Sequence, residues 1–267
     1  MKAYPDNITE IGFLAALDDD GPYPPWFAYL GATAYWVLGQ FGTKRPRLLG
    51  AAEIEREEPV IDTDGIRGGI QYQDAFLIDN DARFVFSFVR SAIEAGAAVA
   101  NYVELISARR DGNRWVADLR DTDSGEEFTT HARTIVNAAG PFVDGLNEQW
   151  GNRTEHRIVY SKGIHLVVPR LTTHEHHRVL AFYDDTQRLF YVIPMGRRSV
   201  IGTTDTRVDD AFTEVTDDDR SFLLEQINKR LDLDRPLTTD DVIAERCGVR
   251  PLVVSSSGGD QLLSLIH

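Results

Sequence analysis

The spacing of apolar residues predicts four helices. Between residues 26 and 39, apolar and small side chains recur at the interval that lines one face of a helix. Residues 51–58 form a short acidic segment that Pro59 would end, and residues 81–96 place phenylalanine, valine and isoleucine at helical spacing before a terminal glycine. The fourth helix is predicted over residues 222–231, whereas residues 1–21 are polar and weakly patterned.

Alternating and short apolar runs predict strands in the rest of the chain. Residues 99–107 and 115–119 form a predicted hairpin around the turn Asp111-Gly112-Asn113. Residues 134–141 are an apolar strand that opens into a turn of small residues. Further strands are predicted at Val159 and over residues 164–168, 179–182, 189–193 and 199–203. This order of elements predicts an α/β chain whose second half is an α+β domain, a mostly antiparallel sheet with flanking helices.

Composition and charge narrow the classes of function. The 267 residues are 42% hydrophobic, which is enough for a globular core, and Lys and Arg (28) are outnumbered by Asp and Glu (42), a net charge of −14. Such a chain repels phosphate backbones, so no nucleic-acid partner is expected. The single cysteine, Cys247, excludes an intrachain disulfide, and no metal site is expected at the polar run His174-Glu175-His176-His177.

Three runs carry candidate chemistry. Small residues at the end of a strand, here Ala138, Ala139 and Gly140, let the backbone approach a nucleotide closely, although an ordinary strand-to-helix turn has the same pattern. Lys162-Gly163-Ile164-His165 places an imidazole, which can accept a proton near neutral pH, in an apolar strand where a histidine is also common as a core residue. Ile201-Gly202-Thr203-Thr204-Asp205 is a strand end whose aspartate is equally suited to a turn.

Taken in order, these runs resemble the FAD-dependent glycerol-3-phosphate dehydrogenases. The lysine-glycine-x-histidine, glycine-threonine-threonine-aspartate and Gly248-Val249-Arg250-Pro251-Leu252 patterns are similar to those of the family, and the match extends from about residue 22 to residue 252. The resemblance implies oxidation of sn-glycerol 3-phosphate to dihydroxyacetone phosphate with FAD. It also implies electron transfer to a quinone and a cytoplasmic enzyme, peripheral on the inner face of the cell membrane, for which a homodimer is one arrangement.

The resemblance also assigns roles to residues. His165 and Asp205 are the catalytic candidates, the first as the base for the C2 hydroxyl or as an orienting partner. The substrate-binding candidates are Lys162, Thr204 and Arg250. For Arg250 the alternative is a surface ion pair. The cofactor-binding candidates are the strand residue Val103 and the turn residues Ala138, Ala139 and Gly140.

The chain departs from the family in two ways. It contains no G-x-G-x-x-G, the glycine-rich turn that places a helix N-terminus at the pyrophosphate, and a second arginine motif and a helical cap do not follow Leu252. We therefore expect an internal fragment that neither holds FAD nor turns over alone. Its predicted ranges are a helical N-terminal segment at 1–60, a partial, Rossmann-like FAD-binding domain at 61–150, a substrate-binding domain at 151–254 and a flexible tail at 255–267.

Two other interpretations stay open on the sequence. A related amine- or hydroxy-acid-oxidising flavoenzyme would share the strand and turn at residues 135–140, but the runs at 162–165 and 202–205 argue against it. A non-enzymatic remnant, or a split subunit completed by a partner chain, would keep the same patterns without activity of its own.

Overall fold

The computed structural model describes residues 4–152, 154–172 and 177–255, which contain both strands and helices. The strands are β1 (Ile8–Asp18), β2 (Arg47–Leu49), β3 (Ile66–Leu77), β4 (Val103–Asp111), β5 (Arg114–Asp121), β6 (Glu127–Ala132), β7 (His156–Pro169), β8 (Arg178–Tyr183), β9 (Leu189–Met195), β10 (Arg198–Gly202), β11 (Thr206–Val208) and β12 (Ala244–Ser255). The α-helices are α1 (Pro25–Leu38), α2 (Ala51–Glu57), α3 (Asp81–Glu94), α4 (Val143–Gln149) and α5 (Asp217–Arg230). The mixed class predicted from the sequence is confirmed.

A large sheet has the strand order β11-β7-β10-β9-β8-β1-β3-β2, and β12 also pairs with β7. Neighbours β7–β10, β10–β9, β9–β8, β1–β3 and β2–β3 are antiparallel, whereas β1 and β8 are parallel. The second sheet is the antiparallel meander β4-β5-β6. The sheet is therefore mostly antiparallel, as predicted, and β8 pairs in parallel with a strand from far earlier in the chain.

The chain divides into two compact units that cut across the predicted ranges. The first unit comprises Met1–Asp81, Lys162–Thr206 and Thr213–Gly248, and the second comprises Ala82–Ser161, Arg207–Phe212 and Val249–His267. The N-terminal strand β1 belongs to the first unit because it lies in the sheet between β3 and β8. The ranges predicted from sequence order thus differ from the grouping in space.

The first unit buries apolar side chains on both faces of the large sheet. Helix α5 packs Leu223 and Leu224 against Ile164 and Leu166 of β7. On the opposite face, Ala28, Tyr29 and Ala32 of α1 pack on Ala15, Ile70 and Ala181. Full burial of a leucine or isoleucine side chain, such as Leu223 or Ile164, contributes roughly 1.5–3 kcal/mol to the stability of the fold. With both faces covered in part, the strands of this unit form a fixed frame for side chains at their ends.

The second unit leaves more apolar surface open. Helix α3 has no buried residue, and Val85, Phe86 and Ile93 are at least half exposed. The meander β4-β5-β6 buries Val116 and Ala117 on β5. None of the helices in the described stretches is long and apolar enough to cross a membrane.

The expectation of a helical N-terminal segment is wrong at its start. Residues 8–18 form β1, which pairs along its whole length with β3. The description of residues 1–21 as polar does not hold for the run Phe13-Leu14-Ala15-Ala16-Leu17, which is almost uniformly apolar. The central part of β1 is covered on both faces, so the run shows neither alternation nor helical spacing. The predicted helices at 26–39 and 51–58 are confirmed as α1 and α2.

The predicted strand at residues 134–141 is also wrong. Residues 134–139 form no helix or strand, and a short 3-10 turn at Gly140–Phe142 follows. Apolar composition alone does not make a strand, since a strand also needs a neighbour to accept its backbone hydrogen bonds. Val136 is 83% exposed. The predicted tail at 255–267 lies outside the described residues, apart from Ser255 at the end of β12.

Candidate active site

His165 lies in a row of directly opposite residues across three strands. In the registers of β7, β10 and β9, His165 is opposite Gly202, and Gly202 is opposite Tyr191. Opposite residues on neighbouring strands share one face of a sheet. The row therefore presents an imidazole and a phenol with a glycine between them.

Gly202 is required by the position of the imidazole. Its φ of +148° is one that side-chain-bearing residues rarely adopt, and a Cβ there would lie 2.6 Å from the Ile164 carbonyl oxygen and 2.7 Å from Cδ2 of His165. The histidine ring thus leans over the glycine backbone. Since no side chain can grow from this point, the space beside the glycine is taken by the imidazole.

Lys162 lies on the opposite face of β7. Alternate residues of a strand face opposite ways, so Lys162 shares its face with Ile164 and Leu166, beneath α5, and not with His165. Its Nζ donates to Oδ2 of Asp219 at 2.5 Å, and both side chains are buried. The structure therefore does not bring the lysine and the histidine of the Lys162–His165 run together.

A cavity of about 450 Å³ adjoins His165 within the first unit. Its apolar walls include Phe13, Val179, Ile193 and Met195, and its polar lining includes His165 and Arg246. Asp79, Asn80 and Asp81, at the start of α3, also line it. An apolar cavity with a few polar groups is the usual form of a small-molecule site.

Two tyrosines flank the aromatic wall of this face. The ring of Tyr72 stacks on Phe13 at 5.2 Å between centroids, and the ring of Tyr191 meets Phe13 edge-on at 6.3 Å. Burial raises the pKa of both phenols, and the neighbouring Tyr191 adds to the effect at Tyr72. Both hydroxyls are therefore protonated at neutral pH and can serve as hydrogen-bond donors on this face.

The structure places Thr204 and Asp205 in a different cavity from His165. Thr204 is buried, and its Oγ1 accepts a hydrogen bond from the Ile164 N–H at 3.1 Å. Asp205 lies 3.4 Å from the Arg188 guanidinium. Both line a cavity of about 330 Å³ that also contains Asp219. Their substrate and catalytic roles stay predictions, and the geometry gives Thr204 a structural function.

The predicted cofactor-binding residues lie in the second unit. Asn137 shapes their turn, because its Nδ2 donates to the Val143 carbonyl and to Oδ1 of Asn147, each at 3.0 Å. Gly140 has φ +55°, and a Cβ added there would meet no atom within 4 Å. The backbone of Ala138, Ala139 and Gly140 is thus open to close approach, and this turn fits a dinucleotide such as FAD.

Two further candidates of the second unit have defined surroundings. Val103 begins β4 and is opposite Asp121 of β5, half-buried. Arg250 lies in β12, and its Nη2 donates to the Ser161 hydroxyl at 3.3 Å. A planar guanidinium is suited to bidentate capture of a phosphate, so the substrate-binding role of Arg250 stays a prediction.

Sequence reasoning did not single out Tyr191 or Arg246 as site residues. The strand that contains Tyr191 was predicted, but only the register of β9 against β10 shows that its side chain shares a face with His165. Arg246 precedes the recognised run at Gly248 by two positions and belongs to the same strand, β12. Alternation in that strand was the one signal that could have drawn attention to it.

A family model identifies the class of protein to which the chain belongs. A model of the family described as FAD dependent oxidoreductase matches residues 13–264, and the chain belongs to that family. Within it, the chain is similar to the aerobic glycerol-3-phosphate dehydrogenase of Escherichia coli, with 29% identity over 249 residues, 90% of this chain and 47% of the relative. The predicted flavoprotein class, with FAD as the family's cofactor, is confirmed.

Two other comparisons bear on the substrate and the fold. The D-erythritol 1-phosphate dehydrogenase of Brucella abortus is also 29% identical, over 88% of this chain and 46% of the relative. The structure of glycerol-3-phosphate dehydrogenase from Bacillus halodurans complexed with FAD superposes with a TM-score of 0.76 at 26% identity, covering 94% of this chain and 45% of that one. The chain spans about half the length of the curated relatives it matches.

Proposed function

We propose that this chain supplies the substrate-binding sheet and part of the cofactor-binding fold of an enzyme that oxidises sn-glycerol 3-phosphate to dihydroxyacetone phosphate. The observation that carries the proposal is the placement of His165 over Gly202, on an open face beside a cavity of about 450 Å³. Similarity to glycerol-3-phosphate dehydrogenases supports the choice of substrate.

In this proposal His165 is the base. The C2 hydroxyl of the substrate gives its proton to the imidazole while the C2–H bond breaks with its electron pair, and a carbonyl forms at C2. FAD, for which the turn at Ala138, Ala139 and Gly140 is the predicted holding site, would supply the acceptor for that hydride. The protonated imidazole then returns its proton to solvent. Gly202 allows the ring to lie where it does, and the Tyr191 hydroxyl can donate a hydrogen bond to a substrate oxygen on the same face.

The test is a comparison of substrates on a completed enzyme, in which the chain is joined to a segment that supplies G-x-G-x-x-G. Reduction of a dye with glycerol 3-phosphate, and not with glycine or other amino acids, is the expected result. A preference for amino acids or hydroxy acids would favour the related oxidase and overturn the proposal. We further propose that the 267-residue chain is inactive alone. Dye reduction by the purified chain with added FAD would contradict that statement.

The electron acceptor and location belong to the same proposal. We propose a quinone as acceptor, peripheral attachment at the inner face of the cell membrane, and a homodimer, as the family resemblance implies. A completed enzyme should reduce a soluble quinone analogue faster than it consumes oxygen, and should sediment with membranes. Oxygen consumption that matches substrate turnover would assign the enzyme to the oxidases instead.

A longer polyol phosphate is the second candidate substrate. The chain is 29% identical to an erythritol-phosphate dehydrogenase and 29% identical to a glycerol-phosphate dehydrogenase. Sequence identity therefore does not separate the two substrates. Both substrates present a secondary hydroxyl and a phosphate, so the same base serves either one. The ratio of kcat/KM values for the two substrates on the completed enzyme decides between them.

A further inference from the structure

Arg246 has a position in the first unit that no recognised motif assigns. It lies in β12 and lines the cavity that adjoins His165. The preceding residue, Glu245, accepts a hydrogen bond from Arg220 of α5 at 3.0 Å, so its side chain is directed to the α5 side of the sheet. Because successive strand residues face opposite ways, Arg246 is directed to the side that carries His165.

The guanidinium of Arg246 is not neutralised by a carboxylate within the described part of the chain. Its contact there is to the sulfur of Met195, 3.7 Å from Nη2, and Met195 lines the same cavity. A thioether is a weak acceptor and leaves most of the N–H groups of the arginine available. Arg246 is exposed, so its charge remains hydrated until a ligand arrives.

Among the described residues, Arg246 is the cation that lines this cavity. Lys162 is held by Asp219 beneath α5, and no second lysine or arginine lines the cavity among the residues that the structure describes. Asp79 and Asp81 line it too and repel anions, so an anionic group can be held only where a cation offsets them. A planar guanidinium can bind two phosphate oxygens at once, which adds direction to the attraction.

We propose that Arg246 binds the phosphate of the substrate and so orients the C2 hydroxyl toward His165. The inference rests on the proposed function and deepens it by naming the residue that distinguishes a phosphorylated polyol from a free one. It moves the substrate-binding role predicted for Lys162 to a residue on the same face as the base. Asp79 and Asp81 then face the uncharged hydroxyl end or solvent.

The test is a calorimetric titration of the 267-residue chain with sn-glycerol 3-phosphate, glycerol and inorganic phosphate. The measurements are made at pH 8, where a phosphate monoester is a dianion. Arg246→Gln should weaken binding of glycerol 3-phosphate and inorganic phosphate by roughly 10- to 100-fold, the usual effect of losing a hydrogen bond to a charged group. Arg246→Lys, which keeps the charge without the fork, should give an intermediate loss.

Arg197→Gln is the matched control. Arg197 is exposed, lies between β9 and β10, and does not line the cavity, yet its replacement changes the net charge equally. Its affinity should stay within about twofold of the parent value, since screened surface charges act weakly at a distance. Unchanged melting temperatures in both variants establish that binding and not folding is measured.

The outcomes separate this proposal from the function it rests on. If the parent chain binds glycerol 3-phosphate and Arg246→Gln binds it equally well, Arg246 is not the phosphate ligand, and the proposed function stands. If the parent chain binds glycerol 3-phosphate no better than glycerol, this cavity does not recognise phosphate and the assignment of Arg246 is overturned, whereas the proposed function is decided separately by the substrate comparison on the completed enzyme. Equal losses of affinity in the Arg246 and Arg197 variants would show that net charge alone causes the effect. They would overturn the assignment of Arg246 as the phosphate ligand.

Discussion

Among single residues, Gly202 decides what the site can hold. The imidazole of His165 occupies the volume that any side chain at residue 202 would need, and the phenol of Tyr191 stands on the other side of the same glycine. The three residues come from three strands, so their arrangement depends on register and not on any local turn. A shift of one residue in β10 would direct every side chain of that strand to the opposite face.

Gly202→Ala should therefore damage both stability and geometry. The added Cβ meets the Ile164 carbonyl at 2.6 Å in a backbone conformation that alanine rarely adopts, and strain of this kind costs about 1–3 kcal/mol. Denaturant unfolding measures the loss, and the NMR shifts of the His165 ring report its displacement. Gly31→Ala is the control: a Cβ there meets nothing within 4 Å, and α1 should be unchanged or slightly more stable. Equal stabilities for the two variants would contradict the close approach.

His165→Asn tests the base directly. In a completed enzyme, loss of the proton acceptor should reduce turnover by about 10²–10⁴-fold, with little change in KM because binding does not depend on proton transfer. His156→Asn is the matched control, since His156 lies in the same strand and is exposed. A near-normal rate for His165→Asn would remove this residue from the role of base.

Lys162 shows that two residues of one sequence motif can lie in separate environments. The run Lys162-Gly163-Ile164-His165 is continuous in sequence, yet the lysine and the histidine lie on opposite faces of β7. The identity of both residues could be used to predict a family, whereas their separate environments depend on α5, a helix more than fifty residues later in the chain. Arg246 was not predicted because it belongs to no recognised motif. Only the structure shows that it lines the cavity that adjoins His165.

Among the elements, α5 is fixed to the sheet by a buried ion pair. Thr216 and Asp219 form a reciprocal capping box at its N-terminus, which explains why the helix begins at Asp217, before the predicted residue 222. The same Asp219 carboxylate accepts the hydrogen bond from Lys162 of β7. One side chain thus ends the loop, starts the helix and anchors it to the strand.

Lys162→Met should destabilise the fold without weakening phosphate binding. Removing one partner of a buried pair leaves the other charge uncompensated, and the usual cost is about 3–5 kcal/mol. Denaturant unfolding gives the stability, and the glycerol 3-phosphate titration gives the affinity. Lys229→Met is the control, since Lys229 is exposed and pairs with Asp185 and Glu225 at the surface, where the loss should stay below about 1 kcal/mol. A stable Lys162→Met variant with poor phosphate affinity would restore the original assignment.

The pH dependence of stability should report the same pair. Burial acts to raise the pKa of the Asp219 carboxyl, but hydrogen bonds from Lys162 and Thr216 outweigh it, and the pKa lies below its ordinary value. A lowered pKa in the folded state adds stability that is fully present above the unfolded pKa of about 4 and is lost as pH falls through the folded value. Urea midpoints measured from pH 6 down to about pH 3 should fall less steeply in Asp219→Asn than in the parent. Parallel curves would exclude a contribution from this carboxyl.

Element prediction succeeded where the pattern was local. Helices α1, α2 and α3 and the hairpin of β4 and β5 follow from spacing and turn residues within each segment. It failed at β1, whose burial depends on β8 far along the chain, and at residues 134–139, which form no strand although they are apolar. In both cases the deciding factor was the presence or lack of a neighbour in space, which a single segment does not encode.

In the whole molecule, two apolar surfaces of the second unit share one explanation. Helix α3 buries none of its residues, and Val136 is 83% exposed in a segment without strand pairing among the described residues. Exposed apolar surface of this kind marks a place where another element packs. The chain spans about half of its curated relatives and contains no G-x-G-x-x-G, so we infer that a cofactor-binding strand and helix would cover both surfaces.

That inference predicts a change on completion of the fold. FAD added to the 267-residue chain should be lost on gel filtration, because no glycine-rich turn places a helix N-terminus at the pyrophosphate. When the chain is joined to a segment that supplies this turn, FAD should be retained, and the amides of residues 134–139 should become protected from hydrogen exchange as the segment gains a strand partner. The amides of β5, already paired on both sides, are the internal control and should not change. Retention of stoichiometric FAD by the chain alone would show that the open turn at residues 138–140 suffices for binding, and the exposed surfaces would then need a different explanation.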